Sequence, residues 1–184
     1  MLREAVRLLE YHAVVTTRPG PGGGLVVAEP QAQASIDTIA LYLQYREPSR
    51  EDLTMIRDAI EIDNVAKVVR RRDSPEVRAF LDSQRLMIEQ AGDDPRKAGV
   101  EEFLFHAGLA KLAGNAVLEL FLRILVEVSR RYWASTDQPV PSHADLVDVR
   151  HAHLRIIEAI AHGDDSVARH RTRRHLDAAA SWWL

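Results

Sequence analysis

The chain has 184 residues, 46% apolar and 28% charged, with 9 glycines, 8 prolines and a formal net charge of −3. This composition is that of a soluble, mostly helical globular protein and argues against a disordered one; any nucleic-acid contact must come from a local basic patch, because the whole chain supplies no basic field. No apolar run approaches the ~20 residues that span a bilayer, and the N-terminus lacks the order of a signal peptide, so a cytoplasmic protein with no membrane contact is expected.

Residues 1–11, "MLREAVRLLEY", repeat apolar positions at helical spacing through Leu2, Val6 and Leu9, with Arg3 and Arg7 on other faces. This predicts a short amphipathic helix. Two β-branched runs follow, Val14 to Thr17 and Leu25 to Val27, separated by a Gly/Pro-rich turn that carries Arg18, the pattern of a small β-hairpin. After Pro30 no strand pattern recurs, and the domain boundary is placed there: 1–30 as one unit, 31–184 as another.

The second unit reads as about seven helices. "IDTIALYLQY" near residue 40 is the first, and Ser49 is placed to cap a helix from about Arg50 to Arg71. Ser74-Pro75 and Asp94-Pro95 each pair an N-cap with proline at the first helical position. Gly114-Asn115 interrupts the pattern before "AVLELFLRILVEVSRRYW", and Ser142, after Pro139 and Pro141, opens a helix that Gly163 ends. Asp164 or Asp165 caps the last helix, which runs to the paired Trp182 and Trp183, an aromatic pair expected to pack on the bundle or at a dimer contact. The short connections predict an all-α antiparallel bundle.

Within "EEFLFHAGLAKLAGN", Glu102 and His106 are four positions apart, on a face that continues through Leu109 and Ala113. Both therefore point inward, where a lone carboxylate needs a partner, a proton or a cation. In the final helical hairpin His153 and His175 are equidistant from a turn near Asp164, so an antiparallel pair sets them opposite one another. His153 shares a face with Ile156, Ile157 and Ile160, and His175 with Ala168, Thr172 and Ala179. His151 and His170 lie among arginines and are expected in solvent; His12, His143 and His162 sit near element ends. With no cysteine in the chain, any metal must be held by His and carboxylates, and three inward imidazoles with one acid form such a set. The alternative is a group of satisfied core histidines with Glu102 bridging to an arginine.

These motifs carry a resemblance. "FLFHAGLAKLAGN" and "HAHLRIIEAIAHGDDSVARHRTRRHL" resemble the FCD effector domain of GntR-family transcriptional regulators of the FadR type. The resemblance implies a divalent metal, Zn, Ni, Mn or Fe, on Glu102, His106, His153 and His175, with Glu102 standing where the family commonly has Asp. "IRDAIEIDNVAKVVRR" is similar to the family's first long effector-domain helix, which implies that Arg57 meets the carboxylate of a small organic-acid effector, Glu61 completing the local pattern. "LREAVRLLEYHAVVTTRPGPGGGLVVAEP" looks like the recognition helix and wing of a winged helix-turn-helix, implying Arg3, Arg7 and Arg18 as DNA contacts. The two helices that normally precede the recognition helix are missing from this sequence, and with little core to hold that helix, poor operator binding by the 184-residue chain is expected.

The function so implied is a ligand-responsive regulator, not an enzyme: a homodimer on palindromic operator DNA, in which the effector shifts the spacing of the DNA-reading helices. The rival is a metal-dependent hydrolase or lyase using the three histidines and the acid to activate water. Against it stands the expectation that no second acid faces the centre, Asp63 and Glu119 being the only candidates and only if their helices rotate. A closed, purely structural metal site is a third possibility.

Overall fold

The computed structural model describes residues 2–11, 14–28, 32–90, 95–134 and 142–183. His12, the boundary at Pro30, the cap Asp94, and Pro139 and Pro141 lie outside the described residues, as do the side chains of Trp182 and Trp183. The elements run α1 (Leu2–Tyr11), β1 (Val15–Arg18), β2 (Gly24–Val27), α2 (Gln33–Arg46), α3 (Arg50–Arg70), α4 (Pro75–Glu89), α5 (Pro95–Leu112), α6 (Ala116–Ala134), α7 (His143–His162) and α8 (Asp165–Trp183). Seven helices follow the hairpin among the described residues, as the sequence pattern predicts.

β1 and β2 pair antiparallel in the register Val15 to Val27 through Arg18 to Gly24. α1 buries none of its residues: Leu2, Leu8 and Tyr11 are all exposed. The core lies in the helices after the hairpin. One cluster joins Val65, Val68, Phe105, Ile156, Ile157 and Ile160 at the centre of α3, α5 and α7; a second joins Ile36, Leu53, Leu122, Leu125 and Val128 where α2 packs along α6. α3 packs against α5, α6, α7 and α8, and its inner side is therefore closed off from water.

The helix ends follow their sequence signals. Ser49 Oγ accepts from the Asp52 amide while Asp52 answers the Ser49 amide, and Ser142 and Asp145 repeat this reciprocal cap at the start of α7. Asp164, not Asp165, caps α8, its Oδ1 accepting from the Val167 amide at 3.0 Å. Gly163 ends α7 at φ 76°, a left-handed conformation, and a Cβ there would meet the Arg72 guanidinium at 2.8 Å. Removing one cap acceptor should matter modestly: Ser142→Ala is expected to cost about 1 kcal/mol, or about 2–4 °C in Tm for a chain of this size. Thermal unfolding of that variant checks it, and an unchanged Tm would show the cap to be idle.

Candidate metal centre

Glu102 and His106 project from α5, His153 from α7 and His175 from α8, and all four are at least 97% buried. The reasons are local. One helical turn puts Glu102 and His106 on the same face of α5, and the α7–α8 hairpin folds back at Gly163 so that His153 and His175 meet. Phe105, fully buried, stacks its ring on His153 at 3.9 Å between centroids and fixes that imidazole's plane.

Four donors converge. His106 Nε2 lies 3.0 Å from His175 Nε2, and His153 Nε2 lies 3.2 Å from His175 Nε2. Glu102 Oε1 is 3.1 Å from His106 Nε2 and 3.2 Å from His175 Nε2, while Oε2 is 3.0 Å from His153 Nε2. Bonds of about 2.0–2.1 Å to a common ion place adjacent donors roughly 2.9 Å apart in an octahedron and roughly 3.4 Å apart in a tetrahedron. These five spacings fall between the two values and all four ligand atoms lie within 4.8 Å of one another, so the residues fit a divalent metal. Three imidazole nitrogens aimed at one another make poor partners without a shared ion or proton, which is a further point of fit.

Behind the donors stands a feature the sequence reading missed. Glu61 of α3 is 4% exposed and pairs with His106 Nδ1, while Arg57 Nε donates to Glu61 Oε1 at 2.6 Å. A carboxylate on the far ring nitrogen of a histidine orients its ring and directs the other nitrogen to the metal position. Arg57 Nη2 also reaches Glu102 Oε1 at 3.4 Å, so the arginine bridge weighed as the alternative to a metal is present beside the four donors. The expectation that no second acid faces the centre is thus corrected: Glu61 does, because a 3.6-residue repeat sets it one turn from Arg57 on the inner side of α3. Asp63 turns outward to pair with Lys67, and Glu119 lines a groove between α5 and α6 with Lys111 and Arg123. His151 and His170 are exposed, as are Arg3, Arg7 and Arg18 on α1 and β1.

The electrostatics follow from burial and pairing. Burial disfavours the Glu102 anion, but His175, His106 and His153 more than offset it and hold its carboxyl well below the usual range. Glu61 is likewise penalised by burial yet held at about 2 by His106 and Arg57. Against its own burial, His106 is pushed up to about 9 by Glu61 and Glu102. Burial drives His153 down to about 4, with Glu102 opposing only in part. A histidine raised from 6.5 to about 9 stabilises the fold fully below 6.5 and loses that contribution as pH rises toward 9. A histidine lowered to about 4 destabilises as pH falls from 6.5 toward 4, because the unfolded chain takes the proton first. Chelated protein should therefore be most stable near pH 6.5, with urea midpoints falling on both sides; a midpoint still climbing at about pH 8.5 would refute the raised His106.

Comparisons with known proteins agree with this architecture. The family model for the FCD domain matches residues 52–178. Streptococcus agalactiae GntR superposes with a TM-score of 0.68 at 22% identity, over 97% of this chain and 79% of that one. Escherichia coli McbR/YncC gives 0.52 at 17% identity, over 95% of this chain and 79% of that one. A transcriptional regulator of the GntR family from Pseudomonas syringae pv. tomato str. DC3000 gives 0.51 at 18% identity, over 97% and 66%. No curated protein matches the chain. These structural likenesses show a shared fold. Because the family match spans more than half of the chain, including every helix that supplies a donor to the centre, the chain belongs to the FCD domain family.

Proposed function

We propose that the protein is a ligand-responsive transcriptional regulator of the GntR type. Its helical domain, residues 31–184, binds a divalent metal through Glu102, His106, His153 and His175 and a small carboxylate effector with the help of Arg57. The observation that carries this is the closed quartet of buried donors, whose ligand atoms all lie within 4.8 Å of one another. When bound, the metal would supply a Lewis-acidic position for an effector oxygen. Charge supports an anionic effector. Arg57, Glu61 and Glu102 together carry a formal charge of −1, a divalent ion on neutral imidazoles turns this to +1, and one carboxylate brings the buried centre to zero.

An enzyme would need a general base at the centre. Glu61, the nearest further acid, stands behind His106 and is already engaged by His106 Nδ1 and Arg57 Nε. Regulation fits better: effector and metal bind differently to two arrangements of a homodimer in the cytoplasm, and the arrangement sets how Arg3, Arg7 and Arg18 meet operator DNA. Elemental analysis of the purified chain and calorimetric titration of the metal-loaded form with small organic acids test the reading. No metal at stoichiometric level, or turnover of an acid in place of binding, would overturn it.

DNA binding by the chain as it stands should be weak. The apolar side of α1 is exposed, so among the described residues no core holds the helix at a fixed angle to the groove. A mobility shift with the 184-residue chain measures this, and tight, sequence-specific binding would show the argument to be wrong.

A further inference from the structure

Two buried polar side chains on α3 and α8, helices that build the centre, play no part in it. Asn64 is 1% exposed and Thr172 fully buried; among the described residues, neither Asn64 side-chain atom and not the Thr172 Oγ1 has a hydrogen-bond partner. Buried polar atoms are nearly always partnered, so two such residues on facing helices call for an explanation. Both lie on the stripes that build the centre. Asn64 follows Arg57 by seven residues and Glu61 by three, on the inner side of α3; Thr172 precedes His175 by three on α8.

α3 and α8 run antiparallel, with Arg50 Nη1 donating to the Ala180 carbonyl at 3.0 Å near one end and Arg72 packed on Gly163 near the other. This register sets Thr172 level with Glu61 and Asn64 one turn further, toward Ala168. Three helical residues rise roughly 4.5 Å, so the orphaned groups stand about one turn from the four donors, on the side away from Arg57.

We propose that Asn64 and Thr172 form a polar subsite that takes a neutral hydrogen-bonding group, such as a hydroxyl, at the far end of the carboxylate effector. The inference rests on the carboxylate-effector reading above and adds the effector's class: a monocarboxylate carrying an uncharged donor and acceptor. Asn64 leaves both a donor and an acceptor open and the threonine hydroxyl offers either, which matches a hydroxyl; an acceptor-only carboxylate would leave Asn64 Oδ1 without a donor. A dicarboxylate would also bring a second negative charge to the buried centre, one more than the single positive charge of the metal-loaded set offsets.

The test is calorimetry on the full chain loaded with Zn²⁺, using butyrate, 4-hydroxybutyrate and succinate as probes. The expected result is that 4-hydroxybutyrate binds about tenfold tighter than butyrate, with succinate weaker than 4-hydroxybutyrate. Asn64→Leu and Thr172→Val should bring the ratio of hydroxyl to plain acid near one while leaving butyrate affinity in place. Thr172→Val is close to isosteric and serves if Asn64→Leu fails to fold. A ratio near one in the unsubstituted chain, or a ratio that both variants preserve, overturns the subsite alone. Failure of all three acids to bind a chain that retains Zn²⁺ overturns the carboxylate reading and this inference together.

Discussion

His153→Ala and His175→Ala are expected to strip the chain of its metal, whereas His151→Ala and His170→Ala leave the content unchanged. The four residues sit in pairs on the same two helices, so propensity and surface charge are matched and only direction differs. His153 and His175 are buried with their Nε2 atoms 3.2 Å apart, and His151 and His170 are exposed. A ligand bound only by the folded state stabilises it by RT ln(1 + [L]/Kd), ~4 kcal/mol at a thousandfold excess over Kd. For a chain of this length that corresponds to on the order of 10 °C in Tm, which the two inward variants should lose and the two outward ones keep. Glu102→Asp should retain the metal, since it keeps the carboxylate on the same face of α5. Metal content by mass spectrometry decides the matter: unchanged stoichiometry in the His153 and His175 variants would sink the site.

Arg57→Ala should be the most destabilising substitution in chelated protein. The guanidinium is 2% exposed and is held between Glu61 at 2.6 Å and Glu102 at 3.4 Å. Burial lowers an arginine's pKa, but here the two carboxylates outweigh it and raise the value, so the charge is retained. Removing one member of a buried ion pair leaves uncompensated charge and costs about 3–5 kcal/mol. Arg57→Met combined with Glu61→Gln should recover part of that loss, because charge and partner leave together. Urea unfolding of the three forms measures it, and a loss below about 1 kcal/mol for Arg57→Ala would show that the pair contributes little. In metal-loaded protein the same Arg57→Ala should keep the metal yet weaken a small carboxylate, by removing a charge-assisted contact worth ~1.5–3 kcal/mol.

Arg57 thus has a second role that its sequence pattern only half shows. The spacing to Glu61 is visible as i, i+4, and the pair is real. That Glu61 then turns to His106, and Arg57 to Glu102, is visible nowhere in the local pattern.

The helix set and the inward direction of Glu102, His106, His153 and His175 were legible in the sequence because short-range physics decides them. Serine caps, proline at first turns and Gly163 after α7 mark ends whose geometry depends on a few neighbouring residues. A four-residue step places Glu102 with His106, and a tight antiparallel hairpin places His153 opposite His175 whatever the rest of the bundle does. Contacts across separate helices were decided only by the tertiary structure. Arg57 and Glu102 are 45 residues apart, and their meeting depends on how α3 is rotated and crossed against α5. The same rotation buries Asn64 without a hydrogen-bond partner among the described residues, and turns Asp63 outward to Lys67. A sequence records which face of each helix is apolar; which polar residues on the margins of that face come together is set by packing angles that no periodicity encodes.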